Sequence, residues 1–534
     1  MAGTQEGRLK RGSRDGSAEP PANAALECRC MSAADASIYD LAVIGGGING
    51  TGIARDAAGR GLRVVLIEKD DLAAHTSSHS TKLIHGGLRY LEYYEFRLVA
   101  EALAEREVLL RAAPHIISPL QFVLPHEPHL RPAWVIRAGL FLYDHLGGRG
   151  NLPRSFGVDL RSTRWGAGLK DRFGKGFVYA DARVDDARLV VLNALGAKEL
   201  GAEILTRTRL VEARRDHGTW RIALEDATGT STEIRARGLV NATGPWVKKV
   251  LDTVKTTRGG ENVRHIKGSH IIVPRVHAED HAYILQNSDQ RIVFVIPYQR
   301  DFSLIGTTDV PVDEYESPAI SGEEIDYLCE IANAYLAVPI SARNVVSSYA
   351  GVRPLYDDGS DNPSEVTRDY VLKLDVGPSA DAPLLSVFGG KITTYRRLAE
   401  AALFELKAFY PHMKPEWTRG AALPGGDMPG GKLAACERDV ANRYPALPPG
   451  LIAALVRRHG TRTARVLGEA KSEADLGTHF GDTLYAAEVD YLVAVEWARS
   501  AEDVLWRRTK YGLHLTQEQR DAVAAYLHEQ YGHG

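Results

Sequence analysis

Cysteine is scarce. The 534 residues contain four, too few for a disulfide framework at this length. Cys28 and Cys30 fall in the N-terminal tail, while Cys329 and Cys436 stand alone. No Cys-x-x-Cys pair or Cys/His cluster appears, so no zinc or iron–sulfur site is expected. That usage points to a reducing, cytosolic compartment. Long apolar runs are missing too: no stretch approaches the roughly 20 residues a spanning helix needs. Any meeting with a membrane is therefore expected from one side. Nor does either charge dominate, with 65 Lys and Arg against 68 Asp and Glu, a formal net charge of −3. Such a balance gives no general pull toward nucleic acid, so no nucleic-acid partner is expected and any anion site must be local.

What is present is an ordinary globular composition, 44% hydrophobic and 25% charged, in a chain too long for one compact core. Residues 1–37 mix Gly, Ser, Pro and Ala with both charges and show no apolar period, which reads as a disordered tail. Glu6, Asp15, Glu19 and Glu27 argue against a transit peptide, and no apolar core of a secretory signal is seen. Met31 is read as lying close to the true start.

Order begins at Ile38. Ile38–Ile44 reads as a strand, Asn49–Arg60 as a helix stopping at Gly61, and Arg63–Glu68 as a second strand. That β–α–β order implies parallel strands with a right-handed crossover. Between strand and helix lies Gly45-Gly-Gly47-Ile-Asn-Gly50, a GxGxxG turn. Gly45 permits the tight turn, Gly47 lets the backbone approach a pyrophosphate, and Gly50 lets helix and strand pack closely. The helix N-terminus offers N–H groups to phosphate. Glu68 ends the second strand, placed for ribose hydroxyls. These features predict a dinucleotide site but leave FAD and NAD open.

Glu95–Ala113 repeats apolar residues at helical spacing and stops at Pro114. From about 200 to 390 the texture becomes β-rich, as in Arg291–Pro297, Phe302–Gly306, Val345–Ala350 and Leu384–Phe388, which suggests an antiparallel sheet inserted between halves of the nucleotide domain. Leu423–Gly431 resembles a boundary, and helical patterns follow, one opened by a Thr516/Gln519 capping box. The expected organisation is an α/β fold with a tail over 1–37, a nucleotide-binding region with interleaved substrate domain over 38–410, and a helical C-terminal domain over 411–534.

Downstream motifs narrow the cofactor. They are Asp71-Leu-Ala-Ala-His-Thr-Ser-Ser-His-Ser-Thr-Lys-Leu-Ile-His-Gly-Gly-Leu-Arg-Tyr90, Asn241-Ala-Thr-Gly-Pro-Trp246, Lys267-Gly-Ser-His270, Ile305-Gly-Thr-Thr-Asp309, Gly351-Val-Arg-Pro-Leu355, Thr367-Arg-Asp-Tyr370 and Phe388-Gly-Gly-Lys-Ile-Thr-Thr-Tyr-Arg396. In order and spacing, from Ile38 to Trp506-Arg-Arg-Thr-Lys510, they resemble the aerobic, quinone-linked, FAD-dependent glycerol-3-phosphate dehydrogenases. The resemblance implies an FAD domain of the glycine- and amino-acid-oxidase type, a β-sheet substrate domain and a helical cap. It also implies oxidation of sn-glycerol 3-phosphate to dihydroxyacetone phosphate, with electrons passing to ubiquinone or menaquinone.

Each motif suggests a role. Thr76, Ser77, Ser78, Thr81 and Lys82 are expected beside the cofactor, with the hydroxyls on the pyrophosphate and Lys82 near flavin oxygens. Thr243 and Gly244 end a short apolar strand that approaches the nucleotide. Gly389, Gly390, Lys391 and Thr393 form a second glycine turn whose N–H groups face the charge that grows on a reduced flavin. A phosphate substrate calls for guanidinium forks, and Arg89, Arg353 and Arg368 are the candidates, with His270 beside them. Removing the C2 hydroxyl proton needs a titrating group; His85 is the most attractive, with Tyr90 and His270 as alternatives and Arg-assisted transfer left open. Arg353 and Lys391 are carried with His85 and Tyr90 as catalytic candidates.

From Arg131 to Gly176 nine Lys/Arg face three Asp and no Glu, interleaved with Trp134, Val135, Ile136, Leu140, Phe141, Leu142 and Tyr143. That stretch fits either peripheral attachment to anionic lipid on the cytoplasmic face or a buried helix beside a basic loop. Three other readings stay open: a sister oxidase that delivers electrons to oxygen, a flavoprotein without catalysis, and an RNA-modifying flavoprotein. A homodimer also stays open.

Overall fold

The structure, a computed structural model, describes residues 38–127, 131–148, 150–254, 262–287, 291–357, 369–377 and 382–532. The predicted tail with Cys28, Cys30 and Met31 lies outside the described residues, as does Arg368.

The nucleotide unit begins with β1 (Ile38–Ile44), α1 (Ile48–Gly59) and β2 (Val64–Ile67). β1 and β2 are parallel, with Leu41 opposite Val64 and Ile44 opposite Ile67. Their sheet runs in the order Val371–Asp375, Leu384–Phe388, Ser231–Asn241, β1, β2, Glu203–Leu205. Its central strands read as unbroken apolar runs because both faces are covered. On one face Ile53, Ala54 and Ala57 of α1 join Leu398 and Ala402 of the helix Tyr395–Glu405 in a single core. Trp220, Ile222 and Leu224 of an antiparallel meander close the other face.

The second sheet starts earlier than the sequence texture suggests. Its members include β3 (Leu83–Ile84), which precedes α2 (Phe96–Ala112), then β4 (Ile117–Pro125), α3 (Ala133–Leu146), β5 (Phe156–Asp159) and β6 (Lys175–Val184), followed by α4 (Asp186–Glu199). Conversely, the strands between 203 and 241 belong to the nucleotide sheet. The expected onset near residue 200 is thus corrected. Pro119, Pro125 and Gly176 punctuate β4 and β6, so these strands look like turns in sequence although they pair from Ile117 opposite Val184 to Pro125 opposite Gly176. The sheet is mixed rather than wholly antiparallel, because His281–Gln286 runs parallel to β4. The expected strand Val345–Ala350 is observed as Ser347–Tyr356, paired along Val263–Pro274 with Arg353 opposite Ile266.

A third core, from Met428 to Leu527, holds the C-terminal helices together. Its last helix, Gln517–Tyr531, is opened by the Thr516/Gln519 capping box as expected. Buried ion pairs bind this core to the nucleotide unit: Arg508 reaches Asp71 at 2.6 and 2.8 Å, and Arg188 of α4 pairs with Glu496.

Candidate active site

The nucleotide turn is dictated by crowding. Gly45 has φ +112°, and a Cβ there would stand 2.5 Å from the Ala242 carbonyl oxygen. A Cβ on Gly50 would come within 1.9 Å of the Gly45 carbonyl oxygen. Gly47 is the N-cap of α1 with no side chain capping it, so the helix presents its first amides outward. Ser77 Oγ accepts one of them, from Ile48 N, at 3.0 Å. Glu68 Oε2 accepts from Gly46 N at 2.6 Å and Oε1 from Asp70 N at 2.8 Å. Burial raises the Glu68 pKa, against the pull of those two amides.

Small residues at the end of Ser231–Asn241 let that strand meet the turn. Ala242 N donates to the Ile44 carbonyl at 2.9 Å. Thr243 Oγ1 donates to Asn241 Oδ1 at 2.7 Å, and Gly244 follows at φ +57°. The second glycine turn faces the first through Asn49, whose Nδ2 donates to the Gly389 carbonyl at 3.1 Å. Asn49 Oδ1 is buried with no donor among the described residues. Gly389 and Gly390 have φ +70° and +99°, and Lys391 caps the short turn that leads into Tyr395–Glu405. Two glycine turns spanned by a side chain with an unsatisfied acceptor fit a dinucleotide laid between them.

Residues 75–94 stitch these turns to the second sheet. Thr76 Oγ1 donates to the Val352 carbonyl at 2.7 Å, Thr81 Oγ1 shares a 3.0 Å hydrogen bond with His270 Nε2, and Tyr349 OH donates to the Ser80 carbonyl at 2.8 Å. Ser78 Oγ instead turns back to the His75 carbonyl at 3.2 Å. At the far end His85 N donates to Thr393 Oγ1 at 3.3 Å, and Lys391 Nζ lies 4.0 Å from the centre of the Tyr90 ring. His85 stands edge-on to Phe294. Burial pushes its pKa down, Lys391 adds to this, and Asp181 opposes it.

Lys82, expected near flavin oxygens, is engaged by partners within the protein. Its Nζ lies 2.9 and 3.0 Å from the two oxygens of Asp186 and donates to the Ser78 carbonyl at 2.8 Å. Burial alone would raise the Asp186 pKa, but Lys82 and Lys510 outweigh it and the net shift is downward. Lys82 therefore braces the segment from behind.

The predicted phosphate clamp is only partly gathered. Arg353 pairs with Asp309 and donates to Thr307 Oγ1 at 3.3 Å. A Cβ at Gly268 would come within 2.5 Å of Arg353 Nη2, so glycine there makes room for the guanidinium. Arg89 lies on the turn Leu88–Tyr93, where its Nη2 donates to Tyr93 OH at 3.3 Å and its guanidinium sits 6.0 Å from that ring. His270 is buried and stacks on Tyr349 at 4.8 Å. Burial drives its pKa well below the usual value, with Arg353, Lys82 and His79 pushing the same way, so it is a neutral ring rather than a cation. Asn49, Asp186 and Asp309 were not singled out from sequence. Asp309 closes a quoted motif, and its charge beside a phosphate-directed arginine was the available signal; Asp186 offered none, since its partner lies 104 residues away.

Residues 40–377 match the family model described as FAD dependent oxidoreductase, and residues 417–532 match the C-terminal domain of alpha-glycerophosphate oxidase. Glycerol-3-phosphate dehydrogenase of Pseudomonas aeruginosa is 55% identical over 94% of this chain and 97% of its own length. D-erythritol 1-phosphate dehydrogenase of Brucella abortus is 53% identical over 92% and 98%. The solved glycerol-3-phosphate dehydrogenase of Bacillus halodurans, complexed with FAD, superposes with a TM-score of 0.72 at 27% identity, covering 93% of this chain and 91% of that one. The cofactor is thus FAD, and the chain belongs to the FAD-dependent oxidoreductases, within the glycerol-3-phosphate dehydrogenase family.

Proposed function

We propose that this protein oxidises sn-glycerol 3-phosphate at C2 to dihydroxyacetone phosphate and passes the electrons to a membrane quinone, ubiquinone or menaquinone. The observation that carries the reading is residues 75–94, which touch the nucleotide turn through Ser77, the second glycine turn through His85 and the arginine strand through Thr76. Bound FAD supplies the hydride acceptor. Arg353, with Arg89 and Arg368 as further candidates, binds the substrate phosphate, and Asp309 orients the Arg353 guanidinium. His85, neutral above its lowered pKa, takes the C2 hydroxyl proton as the hydride leaves. His270 offers a hydrogen bond without charge. Lys391 places positive charge at the mouth of the second glycine turn, where it favours electron-rich states of what binds there.

For the acceptor, the supporting feature is an exposed apolar face. Trp134 is 74% exposed and Phe141 59%, both on α3, and Tyr94, at the end of the turn Leu88–Tyr93 that packs on α3, is 80% exposed. Among the described residues no helix is long and apolar enough to cross a membrane. Peripheral attachment to the cytoplasmic face of the membrane through α3 is the reading that this face and its basic flanks support. Oxygen is the second reading for the acceptor, favoured by the alpha-glycerophosphate oxidase match over residues 417–532. Steady-state turnover with sn-glycerol 3-phosphate or D-erythritol 1-phosphate, with quinone reduction and peroxide measured together, tests both points. The proposal expects sn-glycerol 3-phosphate to give the higher kcat/KM with quinone reduced and little peroxide. Preference for the four-carbon phosphate would refute the substrate, and one peroxide per turnover would refute the acceptor.

A further inference from the structure

A cavity of about 570 Å³ lies between α1, the C-terminal end of α4, the loop Ala422–Asp427 and the helical turn Thr461–Arg465 of the C-terminal region. Arg55, Trp417, Glu199, Asp427, Arg462 and Arg465 are among its lining residues. Arg55 is on α1, eight residues beyond Gly47 and so about 12 Å along the helix from the nucleotide turn. None of the residues assigned above to FAD or substrate lines this space.

The charges around it are unequally matched. Arg462 donates to Tyr491 OH at 2.8 Å and to Glu199 at 2.5 Å, and Arg465 stands 3.7 Å from the same carboxylate. Asp427 Oδ1 accepts from Thr461 Oγ1 at 2.6 Å. Asp56, adjacent in sequence to Arg55, is held by both arms of Arg60 at 2.9 and 2.7 Å. Arg55 itself is 5% exposed, lies 4.9 Å from the centre of the Trp417 ring and donates Nη2 to the Ala422 carbonyl at 2.9 Å. It has no carboxylate partner among the described residues. A guanidinium taken out of water with no ion pair of its own, its nearby carboxylate Asp56 being held by Arg60, is costly, and burial lowers its pKa although Tyr395 and Asp56 oppose the shift. A cavity walled by such a group is suited to an oxyanion that would supply the missing charge.

We propose that this cavity is a second anion site, separate from the flavin and substrate, which takes a small metabolite through a phosphate or carboxylate group held by Arg55 and Arg465. Its walls come from the nucleotide helix and from the C-terminal region, so a bound anion would join the two and stabilise the folded holoenzyme by mass action.

The test is calorimetric titration of the FAD-loaded enzyme with inorganic phosphate, and separately with acetate, at constant ionic strength. Wild type, Arg55→Gln and Arg465→Ala are compared, and KM for sn-glycerol 3-phosphate is measured in parallel. Losing a charged hydrogen bond should weaken anion binding about tenfold or more in Arg55→Gln, with a smaller loss in the exposed Arg465→Ala and KM unchanged in both. Response to phosphate but not acetate would identify a phosphate ester, and the reverse a carboxylate. If Arg55→Gln misfolds, Arg465→Ala decides alone. Anion binding equal in wild type and the variants, or weakened only together with a raised KM, would overturn the site.

Discussion

In the proposed reaction Arg353 binds the substrate phosphate and His85 takes the proton. Arg353 is 40% exposed and shared with Asp309, so its contribution to phosphate binding sits near the lower part of the range for charged hydrogen bonds, about 1.5–3 kcal/mol. Arg353→Ala should therefore raise KM for sn-glycerol 3-phosphate by roughly ten- to a hundredfold, while flavin content stays at one per chain. An unchanged KM would remove Arg353 from the clamp. For His85 the pH dependence is decisive. Its pKa is lowered by burial, so the neutral, proton-accepting form is complete above about pH 6.5, and activity falls only on the acid side as the ring protonates. His85→Gln should lose that acid limb and slow flavin reduction by roughly 10²–10⁴-fold; a variant with the wild-type rate from pH 6 to 9 would assign the proton to another group. At this scale the first glycine turn and Glu68 were legible because strand, turn, helix and acid fall within one short β–α–β stretch, although the crowding that requires Gly45 comes from Ala242. Asn49, Asp186 and Asp309 were not, since their roles come from partners 340, 104 and 44 residues away.

In the proposed function residues 75–94 and α3 are the elements added to the nucleotide fold. The first has little regular structure, with a short turn at Thr76–Ser78, a two-residue strand and another turn at Leu88–Tyr93. Its position is set by side-chain hydrogen bonds to three separate places and by the Lys82–Asp186 pair beneath it. Periodicity could not reveal this, whereas hydroxyl-rich composition did. β1, α1 and β2 were readable to within a residue or two because apolar runs and glycine punctuation agree. β4 and β6 were hidden by prolines and glycine that an edge-like reading would exclude. α3 has one buried and one exposed face. Leu140 and Tyr143 are buried, and Tyr143 OH donates to Asp181 at 2.7 Å, while Trp134, Phe141 and Leu142 face outward. Trp134→Ser with Phe141→Ser should cut sedimentation with vesicles of phosphatidylglycerol and phosphatidylethanolamine by at least about tenfold, leaving turnover with a soluble electron acceptor intact. Equal sedimentation would move the membrane contact elsewhere.

Across the whole molecule, buried ion pairs join the C-terminal helices to the nucleotide unit. Arg508 with Asp71, Arg207 with Asp503, and Lys510 with Asp185 all cross between the C-terminal region and the nucleotide unit. The motif Trp506-Arg-Arg-Thr-Lys510 is thus a latch whose function was invisible until its partners were placed. Several buried histidines add a pH limit. Burial lowers His79 and His277 to about 4, and His115 and His281 to about 3. These rings fold neutral, so their full stabilisation is present above the unfolded value near 6.5 and drains away as pH falls toward their folded values. At pH 5 each should have cost about 2 kcal/mol. Urea midpoints measured from pH 7.5 down to 4.5 should fall steadily below about 6.5, and a flat profile would mean these rings are hydrated in solution. The paired glycine turns and the arginine strand meet in one claim, that a polyol phosphate is oxidised at the flavin. The direct measurement is anaerobic titration of the purified yellow protein with sn-glycerol 3-phosphate. The account predicts stoichiometric loss of the oxidised-flavin absorbance with dihydroxyacetone phosphate formed in equal amount, then recovery on adding quinone. An absorbance that stays unchanged with saturating sn-glycerol 3-phosphate would contradict it.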